Sequence, residues 1–205
     1  DDANAGTEVL PVATIAQAME LISDGGTIEI MTGAPYTVTD LVLNKEVTIK
    51  GTMIDGSDAW GAGDGSDLGA PTLTGAGTSM FIIRSDNVTF QGLQINAGAA
   101  NIAAFDSVVS GFTFDNNTVT FDGNAFEVSG QVTNFTATDN KLTGDGTGYF
   151  FMTTSSDSVK ISTATFSSNE ITDGMAGFSV NQYDIANVSF TNNTMTSANG
   201  KLSIL

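Results

Sequence analysis

A nine-residue segment recurs four times in this 205-residue chain. It reads FTFDNNTVT from Phe112, FTATDNKLT from Phe135, ATFSSNEIT from Ala164 and VSFTNNTMT from Val188. Aligned, the columns separate by chemistry. The first (Phe112, Phe135, Ala164, Val188), the third (Phe114, Ala137, Phe166, Phe190) and the eighth (Val119, Leu142, Ile171, Met195) are apolar. The second holds Thr113, Thr136, Thr165 and Ser189. Alternation with period two marks a strand with one buried face. VTIKGTMID from Val47 and VTFQGLQIN from Val88 fit the same frame, so successive starts lie 41, 24, 23, 29 and 24 residues apart. Short strands repeating every twenty to thirty residues or so, with no helical pattern between them, predict a solenoid. About seven coils at about 4.8 Å each would give a rod on the order of 35 Å long.

The sixth column is Asn117, Asn140, Asn169 and Asn193. Asn tolerates left-handed backbone and bonds its own turn. Stacked at one corner of successive coils, such amides also bond to one another, and the column predicts a structural Asn ladder. Turn signals follow the first three nonamers at Asp122-Gly123, Asp145-Gly146 and Asp173-Gly174, and Asn199-Gly200 follows the fourth. Asp is the favoured residue before such a Gly, which accounts for the three carboxylates better than a shared cation does. Each turn leads into a second apolar strand, with Phe126 and Val128, Phe150 and Met152, Phe178 and Val180, and Leu202 and Ile204 expected to face inward. At the amino end, Ile15, Ala18, Met19 and Ile22 share a helical face behind Thr14 and Gln17 in capping-box positions. A short helical cap over residues 11–23 would cover the sticky first edge. The expected organisation is one domain over 1–205, all-β, with a Gly/Asp-rich surface insertion at 55–71.

Charge and missing residue types then exclude several functions. There are 6 Lys+Arg against 23 Asp+Glu, a formal net charge of −17, with 40% hydrophobic residues. Such a surface repels nucleic acid and anionic lipid, and no apolar run approaches the roughly 18 residues of a membrane span. The chain has no His and no Cys. It therefore lacks the commonest general base, the commonest transition-metal ligand and any thiolate or disulfide chemistry.

The coils and the opening TIAQAMELISDGGTIEIMTGAPYTVTDLVLNKEVTIKG resemble the right-handed parallel β-helix, or pectin-lyase-like, superfamily over nearly the whole chain. That resemblance implies a right-handed parallel β-helix of about seven coils with an amino-terminal capping helix. Members include pectate lyases, polygalacturonases, alginate epimerases, phage tailspikes and non-catalytic segments of bacterial surface proteins, and fold alone does not choose among them. Polygalacturonase-like and epimerase-like chemistry both imply a His, which is lacking here. Lyase chemistry implies Ca²⁺ beside a basic residue, and Arg84 is the only Arg. No residue receives a catalytic role, and the expectation is a protein that is not an enzyme.

Three surface features carry alternatives. The stretch DGSDAWGAGDGSDLGAP holds Asp55, Asp58, Asp64 and Asp67, hard oxygen ligands of the kind Ca²⁺ takes. Its AGDGSD loosely matches one copy of a Ca²⁺-binding nonapeptide repeat, and the competing reading is a solvated insertion. Trp60 in the same stretch would offer a stacking surface for a glycan, or simply cover the rod. The Thr column at Thr48, Thr89, Thr113, Thr136 and Thr165 suggests an ice-binding face, but uneven coil spacing and the neighbouring Lys50, Gln91 and Asp115 favour ordinary strand propensity. KLSIL, finally, reads as an apolar strand without a cap, inviting self-association or a neighbouring domain. The expected function is a non-catalytic, extracellular or cell-surface structural or adhesive module that stacks into a filament or continues a larger protein. The alternatives are a Ca²⁺-dependent polysaccharide-binding or lyase-like protein and, behind it, an ice-binding protein.

Overall fold

The computed structural model describes residues 1–31, 35–52, 71–144, 148–154, 160–172, 176–180, 185–196 and 203–204. Among these residues there is one helix, α1 (Ile15–Leu21), which starts at Thr14, a residue with extended backbone whose hydroxyl oxygen accepts from the Gln17 N–H. The helix is shorter than the expected 11–23 because Thr14 caps it and Ile22 returns to extended backbone. Ile15 and Met19 are buried. The Lys45 ammonium donates to the carbonyls of Met19 (2.7 Å), Glu20 (3.3 Å) and Ile22 (2.9 Å). These are the groups a helix end leaves unpaired, and a cation is favoured there by the helix dipole.

Seven repeat units follow. The first is β1 (Gly26–Met31) and β2 (Tyr36–Leu43); the second is β3 (Val47–Thr52) and β4 (Thr72–Ile83). The third is β5 (Val88–Gln91), β6 (Gln94–Gly98) and β7 (Asn101–Phe105). The fourth is β8 (Val108–Ser110), β9 (Thr113–Asp115), β10 (Thr118–Phe121) and β11 (Phe126–Val128). The fifth is β12 (Gln131–Thr138), β13 (Lys141–Gly144) and β14 (Tyr149–Thr153). The sixth is β15 (Lys160–Ser167), β16 (Glu170–Thr172) and β17 (Ala176–Val180), and the seventh is β18 (Ile185–Thr191), β19 (Thr194–Thr196) and β20 (Ser203–Ile204).

All strand pairing among the described residues is parallel and joins equivalent strands of adjacent units. The first sheet runs β1-β3-β5-β9-β12-β15-β18, with β8 on the start of β12. The second branches at β4, whose early residues pair with β6 and later ones with β7, so one arm continues to β19 and the other to β20. The architecture is all-β and solenoid-like, with its core between the sheets.

That core is largely phenylalanine. Phe81, Phe90, Phe105, Phe112, Phe114, Phe126, Phe135, Phe150 and Phe151 are at most 1% exposed. Phe112 stacks on Phe135 at 5.1 Å, and both meet Phe126 edge-on. Large and small residues swap columns between units: Phe135 sits with Ala137, and Ala164 with Phe166, all buried. The swap keeps volume per layer nearly constant, as close packing requires.

In β14, of the inward pair expected at Phe150 and Met152, Phe150 is buried and Met152 is not. Phe151 and Thr153 pair with Phe126 and Val128 and are buried, whereas Met152 pairs with the outward Glu127 and is half-buried. Phe150 is buried too, which places two successive aromatics inside and breaks the simple alternation. Phe178, Val180, Leu202 and Ile204 lie where side chains are outside the described residues.

Candidate functional site

Two corners of units three to seven use left-handed backbone. One runs through Asn87, Gly111, Asn134, Thr163 and Asn187, with φ from 53° to 79°. The other runs through Gly92, Asn116, Asp139, Ser168 and Asn192, with φ from 52° to 62°. The second corner lies one residue before the Asn column. Left-handed geometry therefore falls on the fifth column of the nonamer, not on the sixth.

Turning the chain there frees the sixth-column amides to bond along the stack. Asn140 Oδ1 accepts from the backbone N–H (2.9 Å) and Nδ2 (3.1 Å) of Asn117. Asn169 Oδ1 does the same for Asn140 (3.1 and 2.9 Å), and Asn193 Oδ1 for Asn169 (3.0 and 2.9 Å). Each Nδ2 also donates to a carbonyl: Asn117 to Phe90, Asn140 to Phe114, Asn169 to Ala137 and Asn193 to Phe166. The N–H of Leu93, which holds the sixth column in the third unit, donates to Asn117 Oδ1. Asn117, Asn140 and Asn169 are each 1% exposed, so these bonds satisfy groups that water cannot reach.

A second, shorter ladder escaped the sequence reading. Asn101 Oδ1 accepts from the Asn124 N–H (3.3 Å), and Asn124 Oδ1 from the Tyr149 N–H (3.1 Å). The Asn101 amide also donates to Glu127 Oε2. The signal was present in NIAAF and NAFEV, but two Asn residues make too short a column to stand out.

The outward face of the first sheet carries a rank of hydroxyls. Register places Thr27, Thr48, Thr89, Thr113, Thr136, Thr165 and Ser189 side by side across all seven units. Beside it runs a second rank of Glu29, Lys50, Gln91, Asp115, Thr138, Ser167 and Thr191. Between the first and the fifth unit this second rank makes bonds within itself. Lys50 pairs with Glu29 at 3.0 Å, Gln91 donates to Asp115 at 3.0 Å, and the Thr138 hydroxyl donates to Asp115 at 2.6 Å. The separations that looked too uneven for an ordered face do not disturb it. Thr48 pairs with Thr89 across 41 residues as directly as Thr89 pairs with Thr113 across 24, because extra residues are accommodated between strands.

Arg84 makes a bidentate contact with Asp106, its Nε and Nη2 donating to the two carboxylate oxygens at 3.0 and 2.6 Å. Those hydrogen bonds hold the Asp106 carboxyl below the usual carboxylate range and raise the guanidinium further. The only Arg in the chain is thus committed to a surface ion pair. Asp55, Asp58, Asp64 and Asp67, named for Ca²⁺, and Trp60, named for a glycan, lie outside the described residues, as do Asp145 and Asp173. Among the described residues, no group of three or more acidic side chains could hold a metal ion, and no helix is long and apolar enough to cross a membrane.

The last unit differs from the one beneath it. Phe166 and Ile171 are 2% and 3% exposed, whereas Phe190 and Met195, next in the same columns, are 44% and 38% exposed. No family model, curated protein or solved structure matches the chain.

Proposed function

We propose that the chain is a right-handed parallel β-helix acting as a non-catalytic, extracellular structural or adhesive module, which accepts a further rung on its β18–β19 edge. Right-handed connections are the rule for parallel strands of one sheet. The step in exposure from Ile171 to Met195 carries the reading, because core-type side chains left on a strand edge are what a stacked partner covers. The polar interior supports it as well: the buried amides are consumed by bonds between units, and the only Arg is held by Asp106.

Light scattering on the purified chain tests the edge. The expected result is self-association that Met195→Lys abolishes while the far-ultraviolet strand signal is kept. A wild-type monomer at every concentration would contradict it. Incubation with polygalacturonate or alginate and added Ca²⁺ tests the non-catalytic half, and release of unsaturated uronates would overturn that part.

A further inference from the structure

The hydroxyl ranks of the first sheet change character along the stack. In the first four units the second rank is Glu29, Lys50, Gln91 and Asp115; in the last three it is Thr138, Ser167 and Thr191. Units five to seven therefore present a two-by-three array: Thr136 and Thr138, Thr165 and Ser167, Ser189 and Thr191. In a chain with 23 acidic residues, an uncharged field of this extent selects for an uncharged partner.

Spacing narrows the partner's chemistry. Neighbouring strands lie about 4.8 Å apart, and successive outward residues about 6.7 Å apart along a strand. In a tetrahedral water lattice, an O–H···O bond of about 2.75 Å puts second-neighbour oxygens about 4.5 Å apart, with a layer repeat of about 7.3 Å. The mismatch of about 0.3 Å per rung grows to about 0.6 Å over three rungs, which hydrogen bonds absorb. Over seven rungs it reaches about 1.8 Å, which they do not. The uncharged array spans the length over which the two lattices stay in step.

We infer that this array, centred on Thr165, binds the surface of ice. The threonine methyl groups between the hydroxyls exclude liquid water, and the hydroxyls take places in the ordered oxygen lattice. Thr138 remains bonded to Asp115, and the Ser189 and Thr191 hydroxyls lie 3.4 Å from each other instead of at the strand repeat, so Thr136, Thr165 and Ser167 are the hydroxyls that take lattice positions. This goes beyond the stacking module and needs only the register of β12, β15 and β18.

The test is ice recrystallisation and partition into growing ice, read on the full chain at micromolar concentration. Three variants share the strand environment. Thr165→Tyr in the middle of the array is expected to abolish the effect, and Thr165→Ser to keep it. Thr48→Tyr, in the charged half of the same rank, is expected to leave it unchanged. Unchanged melting curves show that the variants fold. A wild-type chain that neither slows recrystallisation nor enters ice overturns the inference. So do equal losses in Thr48→Tyr and Thr165→Tyr, or retention on microcrystalline cellulose or chitin with no effect on ice.

Discussion

The two left-handed corners of the repeat use the same residue type for opposite ends. At Asn87, Asn134 and Asn187 the asparagine itself adopts positive φ and its side chain is at the surface. At Asn117, Asn140 and Asn169 the asparagine follows a left-handed residue, and its amide is buried between units. The first corner needs a backbone conformation that Asn tolerates and Gly or even Thr can supply, as Gly111 and Thr163 do. The second needs an acceptor and two donors at one point, which no smaller side chain provides. Conformational preference is replaceable, but hydrogen-bonding geometry inside a dry core is not.

The sharpest way to break this comparison is Asn140→Ala. It leaves the Asn117 N–H and Nδ2 without their acceptor and removes the donor to Phe114 O, all in the interior. A loss of about 3 kcal/mol or more is expected in chemical denaturation. Asn140→Asp sharpens the point. It keeps one acceptor but sets a buried carboxylate beside Phe114 O and Asn169 Oδ1, so its folded-state pKa rises. The penalty is full at neutral pH and shrinks as pH falls through that raised value, so the variant gains on the wild type in acid. At the exposed corner, Thr163→Asn removes a β-branched residue from positive φ and should stabilise by about 1 kcal/mol, visible as a raised melting temperature. The smallest effect belongs to Arg84→Gln. Asp106 has a depressed pKa, so its contribution is present above the ordinary carboxylate pKa and lost as pH falls through the folded value. The variant is expected to show a slightly flatter acid limb than the wild type, because the pair is solvent-exposed.

Much of this was legible from the sequence because a solenoid writes its interior once per repeat. The Thr-Phe alternation, the Asn column and the Thr14 cap are local or periodic, and each lies where the pattern placed it. What the pattern concealed depends on geometry between units. Phe150, Phe151 and Met152 are all apolar, so only pairing with Phe126 shows which of them face in. The left-handed residue could not be separated from its Asn neighbour, since Asn116-Asn117 and Asn192-Asn193 offer the same residue type twice. Lys45 reaches the end of α1 across 23 to 26 residues with no motif to announce it. The hydroxyl face was visible as a column, but its continuity depended on register across unequal loops.

Solvent exchange of the asparagine side-chain amide protons, followed by NMR after transfer to heavy water, tests most directly whether the ladder joins the units. The Nδ2 protons of Asn117, Asn140 and Asn169 are predicted to persist about as long as the slowest backbone amides of the sheets, while those of Asn87 and Asn134 vanish at once. Equally fast loss at both corners in a folded chain would contradict the account.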